Sequence, residues 1–221
     1  MGPLASANLY HKIVKIAQEM YHAEQDTDFP PMIIYNLPLL GFDETGFVEL
    51  ASVKSQLIAG VKKLESAGSD FVIVACNTVH HFCQEMQGAI KIPIISIIEE
   101  TVKTVDKKGL KVIGLLSSES TNKLKIYQKV LDYYAIKTLS VTDKQQKLLN
   151  EVILHVMSGI QDEADKECLK IIIYGLCKQG AQGIVFGCTE LPLAISQNDT
   201  DVVLLDSTEI IAKSALEYAL K

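Results

Sequence analysis

The sequence predicts an α/β protein built from two similar halves, and three observations predict it. Amphipathic helical stretches alternate with short apolar, β-branched runs along the whole chain, the pattern of a mostly parallel sheet covered by helices. Two of the runs end alike: "FVIVACNTVHHF" at 71–82 and "GIVFGCTELP" at 183–192 each pass from apolar residues to a cysteine, then to polar residues able to open a helix. The spacing also repeats. Cys76 follows Gly68 by eight residues and Cys188 follows Gly180 by eight, each glycine standing where a helix C-cap belongs.

Taken in order, "PLASANLYHKIVKIAQEMYH" carries Leu9, Ile13, Ile16, Ala17 and Met20 at helical period. "PMIIYNLP" reads as a strand bounded by prolines, "GFVELASVKSQLIAGVKKLESAG" as one long amphipathic helix, and 71–75 as the next strand. "IPIIS" at 92–96 is a further strand, and "KVIGLLSSEST" at 111–121 is a strand running into a hydroxyl-rich loop, followed by the helix "NKLKIYQKVLDYY". "KQQKLLNEVILHVMSG" and "DEADKECLKIIIYGLCKQG" are helices, 184–187 and 202–206 strands, and 207–220 a closing helix. The division expected is an N-terminal α/β domain at 1–100 holding Cys76, a C-terminal α/β domain at 101–205 holding Cys188, and a closing helix at 206–221 that returns to the N-terminal domain. One feature is wrong for such a fold: "MGPLAS" opens the first helix with no strand before it. Either that strand lies outside this sequence or the fold manages without it. In the first case Leu9, Ile13 and Ile16 should be poorly covered.

Composition narrows the function. With 221 residues, 48% of them hydrophobic, the chain can bury a sizeable core. A net charge of −6 and a pI of about 5.4, with no basic stripe, argue against a nucleic-acid partner. No apolar run approaches the roughly 20 residues of a membrane span, and the N-terminus lacks a secretory layout. Five cysteines without framework spacing read as reduced thiols of a cytoplasmic protein, and no Cys/His spacing suggests a metal. Cys83, Cys168 and Cys177 fall on helical patterns and read as core. Strand C-terminal ends are where open α/β sheets place ligands, so Cys76 and Cys188 are candidate functional thiols rather than core filler.

"MGPLAS", "CNTVH" and "GCTELPL", in this order and at these distances, resemble the aspartate/glutamate racemase family of cofactor-independent amino-acid racemases. The resemblance covers nearly the whole chain. "GCTELP" is similar to the aspartate-racemase branch, where glutamate racemases read "GCTHYP". It implies two pseudo-symmetric parallel-sheet α/β domains with the active site between them, a homodimer, a small amino-acid substrate and no cofactor. It places Met1, Gly2 and Pro3 in the substrate pocket and gives Cys76 and Cys188 the roles of acid and base.

The chemistry explains the pair. Racemisation takes the α-proton from one face of a tetrahedral carbon and returns a proton to the other, so two acid/base groups must flank the substrate. One is then a thiolate and the other a thiol. A thiol's ordinary pKa of about 8.5 must fall in the base form, and a helix N-terminus after each cysteine would lower it. The substrate carboxylate would be held by backbone N–H groups at Asn77, Thr78, Thr189 and Glu190, together with the Asn77 and threonine side chains. Ser117, Ser118, Ser120 and Thr121 could form a third wall, with Thr121 chosen by the resemblance, although the cluster equally fits a helix N-cap. His80 matches the family's "CNTxH" as a hydrogen-bonding residue behind the site. His11, His22, His81 and His155 read as surface or packing residues.

One departure bears on the substrate. All 21 basic residues are lysines. Aspartate racemases of this type would hold the distal carboxylate with basic side chains including an arginine, whose fork binds it bidentately. The loop after "IIYNLP" reads "LLGFDETG" and is acidic, and Ile160 stands where a lysine would be plausible. A lysine such as Lys166 would have to reach the site instead. The alternatives are a racemase of altered or broad preference, a non-catalytic relative that binds a small amino acid, and, from another class, a thiol redox sensor.

Overall fold

Residues 112–117, "VIGLLS", are apolar on both faces, and only the centre of a parallel sheet covered by helices on both sides buries such a run. The computed structural model, which describes residues 2–43 and 46–220, places them there. In chain order the elements are α1 (Pro3–Tyr21), the two-residue strands β1 (Phe42–Asp43) and β2 (Gly46–Phe47), α2 (Leu50–Ser66), β3 (Val72–Ile73), α3 (Cys83–Gly88), β4 (Ile94–Ile95) and α4 (Ile97–Lys107). There follow β5 (Val112–Ser117), α5 (Glu119–Lys123), α6 (Ile126–Tyr133), β6 (Lys137–Ser140), α7 (Asp143–Ser158), α8 (Glu163–Lys178), β7 (Ile184–Gly187), α9 (Leu191–Ala194), β8 (Leu204–Asp206) and α10 (Ser207–Ala219). Short 3₁₀ turns lie at Asp26–Asp28, Thr78–Phe82 and Gln197–Asp199.

The larger sheet is four parallel strands in the order β6-β5-β7-β8. Gly114 of β5 permits its closeness, because a Cβ there would stand 2.6 Å from Ile184 Cδ1. The fold class expected from the sequence, parallel-sheet α/β, is the one observed. Several elements differ in detail. The helix expected over 122–134 breaks at Lys125, which takes a left-handed φ of 52° and starts α6 afresh. The helix expected from Gly46 begins only at Leu50, because Gly46–Phe47 pairs with Phe42–Asp43 as an antiparallel hairpin. Helix α4 and strand β6 were not assigned from the sequence.

The smaller sheet is where the sequence reading needs correction. Only β3 and β4 pair in it, through Val72 with Ile94 and Ile73 with Ile95. "PMIIYNLP" is extended but is no strand: residues 31–36 make no backbone-to-backbone hydrogen bond among the described residues. A strand needs a neighbour to share its ladder, and none lies beside it. Leu37 and Leu39 nevertheless anchor this segment in a core with Val53, Leu57, Val61 and Val74.

Leu9, Ile13 and Ile16 are not left uncovered either. They are 6, 8 and 5% exposed, packed against Ile211, Ala212 and Leu216 of α10, which returns to lie on α1 and α4. Between residues 30–35 and β3 lies an apolar groove of about 320 Å³, which Leu9 and Ile13 also line.

Candidate active site

Strand β7 delivers Cys188 directly, since it ends at Gly187 and the chain turns there into the four-residue helix α9. The turn is tight because a Cβ on Gly187 would meet Leu115 Cδ1 and Tyr127 Cε2, each at 3.0 Å. From the smaller sheet, β3 leads through Val74 and Ala75 to Cys76, after which the chain enters the 3₁₀ turn Thr78–Phe82. The two strand ends face one small cavity of about 20 Å³, lined by Gly2, Phe42, Cys76, Asn77, Thr78, Gly187, Cys188, Thr189 and Glu190. This is space for about one water molecule. Admitting an amino acid therefore requires the walls to part. One of them carries the hairpin β1–β2, whose Phe47 packs against Phe42, His81 and Phe82 at ring-centroid distances of 5.0, 6.0 and 5.3 Å and whose Gly46 lies near Ser120 on α5.

The expected site residues distribute as follows. Cys76, Cys188, Asn77, Thr78, Thr189, Glu190 and Gly2 share the cavity. Thr121 does not line it but is one bond away: Thr78 Oγ1 lies 2.8 Å from Thr121 Oγ1 and 3.1 Å from Ser118 Oγ. Ser118 is also the N-cap of α5, accepting from the Thr121 N–H, so the hydroxyl cluster caps a helix and braces Thr78 together. Pro3 occupies the first turn of α1 and does not line the cavity. Met1 lies outside the described residues.

His80 is buried behind Cys76. Its Nδ1 is 2.8 Å from the Cys76 carbonyl oxygen, while the Ile97 N–H donates to Nε2 at 3.4 Å. A nitrogen that accepts carries no proton, so Nδ1–H donates to Cys76 and the ring is neutral. Burial drives its pKa down to about 4, against the opposing pull of the Cys76 and Asn77 backbone. His81, His11 and His22 are exposed, and His155 binds Asp165 at 2.9 Å, away from the cavity.

Two expected residues take other roles, and one participant is new. Glu190 was expected to offer backbone donors, yet its carboxylate turns inward, 5% exposed: Oε2 accepts from Cys188 Sγ at 3.1 Å and from Thr189 Oγ1 at 2.9 Å. Gly2 makes room for it, since a Cβ at residue 2 would sit 2.6 Å from Glu190 Oε1. The third is Tyr127, fully buried. Its hydroxyl donates to Asn77 Oδ1 at 2.7 Å while Asn77 Nδ2 donates to Ser207 Oγ at 3.3 Å, which fixes the amide's orientation. A carboxylate two residues after a cysteine on a tight turn is a signal the sequence did carry. Tyr127, 50 residues from Asn77, gave none.

Two electrostatic expectations change. The segments after Cys76 and Cys188 are a five-residue 3₁₀ turn and a four-residue helix, too short for much macrodipole. What lines the cavity is local instead: Asn77, Thr78, Thr189 and Glu190, whose backbone N–H groups donate to no backbone acceptor among the described residues. Lys166 does not reach the site. It pairs with Glu163 at 3.3 Å and Asp199 at 3.4 Å, and no lysine is among the described lining residues. Burial pushes the thiols of Cys83, Cys168 and Cys177 up, away from thiolate chemistry. Among the described residues no group of His, Cys, Asp and Glu is arranged to hold a metal, and no helix is long and apolar enough to cross a membrane.

Comparison with known proteins agrees over the full length. The Asp/Glu/Hydantoin racemase family model matches residues 1–215. The broad specificity amino-acid racemase RacX of Bacillus subtilis is 29% identical over 220 residues, spanning 100% of this chain and 95% of its own. The aspartate racemase of Picrophilus torridus superposes with a TM-score of 0.85 at 27% identity, covering 100% of this chain and 91% of the other. An aspartate racemase homologue from Pyrococcus horikoshii superposes at 0.83 and 28%, covering 99% and 95%. A sheet-end cysteine pair facing one cavity and a family match over nearly every residue lead to the same place: the chain belongs to the Asp/Glu/Hydantoin racemase family and is an isomerase of the racemase type.

Proposed function

We propose that the protein racemises amino acids with non-acidic side chains, using Cys76 and Cys188 as the two proton carriers and no cofactor. The supporting observation is that both thiols line one cavity in which Glu190 is, among the described residues, the single charged lining group. In one direction the Cys76 thiolate takes the Cα proton and the Cys188 thiol gives its own to the opposite face. The return reaction exchanges the roles. Between the steps the carbanion delocalises into the substrate carboxylate, which the N–H groups at 77, 78 and 189 and the Thr78 hydroxyl stabilise. Glu190 stands at the proton of Cys188, orienting the thiol and able to receive that proton when Cys188 must act as base. A substrate side-chain carboxylate would meet Glu190 and find no cation, a costly burial that disfavours aspartate and glutamate.

The domain division at residue 100 and assembly as a homodimer belong to the same reading, the latter measurable by sedimentation. The deciding experiment is Cα hydrogen–deuterium exchange in heavy water over a panel of L- and D-amino acids. Exchange and inversion are expected for neutral or basic members, faster than for aspartate. No exchange with any member would leave an amino-acid binder. Strong selectivity for aspartate over asparagine would overturn the substrate assignment, and a near-wild-type Cys76→Ala or Cys188→Ala enzyme would overturn the two-thiol mechanism.

A further inference from the structure

Tyr127 lies behind both cysteine turns at once. It is fully buried on α6, and its ring packs beneath β7 so closely that a Cβ on Gly187, the residue before Cys188, would stand 3.0 Å from Tyr127 Cε2. At the far end of the same side chain the hydroxyl reaches Asn77, the residue after Cys76, and donates to its Oδ1 at 2.7 Å. Burial pushes the phenol's pKa well up, so it keeps the proton it donates.

This bond decides what Asn77 shows the cavity. Its Nδ2 gives one proton to Ser207 Oγ at 3.3 Å, at the fully buried start of α10, while the second meets no acceptor among the described residues. Asn77 is 2% exposed and lines the cavity. With Oδ1 held by the phenol, the second N–H is the part of the amide left for a ligand. Turned over, the amide would set its carbonyl oxygen against a substrate carboxylate, acceptor against anion.

We propose that Tyr127 is a positioning residue for the racemisation: anchored by its ring beneath Gly187, it holds Asn77 Oδ1 so that the Asn77 Nδ2–H is aimed at the substrate carboxylate. That carboxylate gains negative charge as the carbanion forms, so an aimed donor is worth more in the transition state than in the bound substrate. The inference rests on the two-thiol reading of the cavity.

Tyr127→Phe removes one oxygen and keeps the ring. In the full chain, at a temperature where near-ultraviolet circular dichroism matches the wild type, kcat/KM for the fastest substrate of the amino-acid panel should fall roughly 5- to 150-fold, the cost of a buried acceptor left unpaired. Most of the fall should be in kcat. Merely structural damage would not depend on Asn77. In an Asn77→Ala chain, therefore, adding Tyr127→Phe should change the Cα deuterium-exchange rate by less than about 2-fold. A full-sized loss in that background would overturn the inference, as would an unaltered rate when Tyr127→Phe is the sole substitution, or a loss confined to KM. With Cys76→Ala and Cys188→Ala inactive, any of these results removes the role of Tyr127 and leaves the two-thiol reading standing. A near-wild-type cysteine variant, or a wild-type chain that exchanges no amino acid, would remove both.

Discussion

His80 has no room to carry a charge: one ring nitrogen donates to the Cys76 carbonyl, the other accepts from Ile97, and the residue is 7% exposed. With its pKa held at about 4 in the fold against an ordinary 6.5, the unfolded chain binds the extra proton between those values. Stability on this account is full above pH 6.5 and falls as pH drops towards 4. Linkage puts the loss at about 2 kcal/mol between pH 7 and pH 5. Urea midpoints of the wild type and His80→Asn across that range should diverge, the wild type having the steeper acid limb; parallel limbs would count against it. At Glu190 the relevant quantity is a rate. Glu190→Gln keeps the shape but weakens the acceptor at Cys188 Sγ, and loss of such proton handling costs about 10²- to 10⁴-fold. Enantiomers are equal in free energy in water, so kcat/KM must fall by the same factor in both directions. An unaltered rate would reduce Glu190 to packing.

Turns decide more of this site than helices do. Gly187 joins β7 to the Cys188 turn under Leu115 and Tyr127, and Gly187→Ala should cost about 1–3 kcal/mol by overpacking, read as a lower urea midpoint with an unchanged slope. An unchanged midpoint would mean that the neighbours yield freely. The same scale explains what could be read in advance. Helices α1, α7 and α8 and strands β5 and β7 were legible because period and composition agree over many residues. Helix α4 carried a readable stripe, Ile97, Ile98, Thr101, Val102 and Val105, directly behind the IPIIS strand. Strand β6, four residues at a sheet edge with none buried, carries little pattern. The break at Lys125 has no sequence signature, since lysine is a good helix former and its left-handed φ is imposed by the turn into α6. "PMIIYNLP" had every local feature of a strand and lacked the one feature no local pattern contains, a neighbour. At the site, the cysteines and the residues next to them were legible from the repeated motif. Phe42, Tyr127 and Ser207 enter only through tertiary contact, and the inward carboxylate of Glu190 depends on the room left by Gly2.

Across the whole molecule, one core lies under α1, α4, α6 and α10 and spans both sheets, while two others lie under α7–α8 and under α2. The first depends on the end of the chain: Ile211, Ala212, Ala215 and Leu216 are all buried, and each large one removed costs about 2–5 kcal/mol. Against a typical total stability of about 5–15 kcal/mol, a chain stopped after Asp206 should not hold its tertiary structure. Near-ultraviolet circular dichroism and cooperative melting would show this, and an unchanged cooperative transition would refute it. The packing of α10 on α1 also sets a schedule. Helix α1 leaves the ribosome well before α10, and at roughly 5–20 residues per second its apolar face stays without that partner for on the order of 10–40 s. During synthesis the residues around β5–β8, contiguous in the chain, can fold first, while Leu9, Ile13 and Ile16 remain a sticky surface in need of a holdase. The yield of active protein should therefore be limited by chaperone supply more than by the stability of the finished fold.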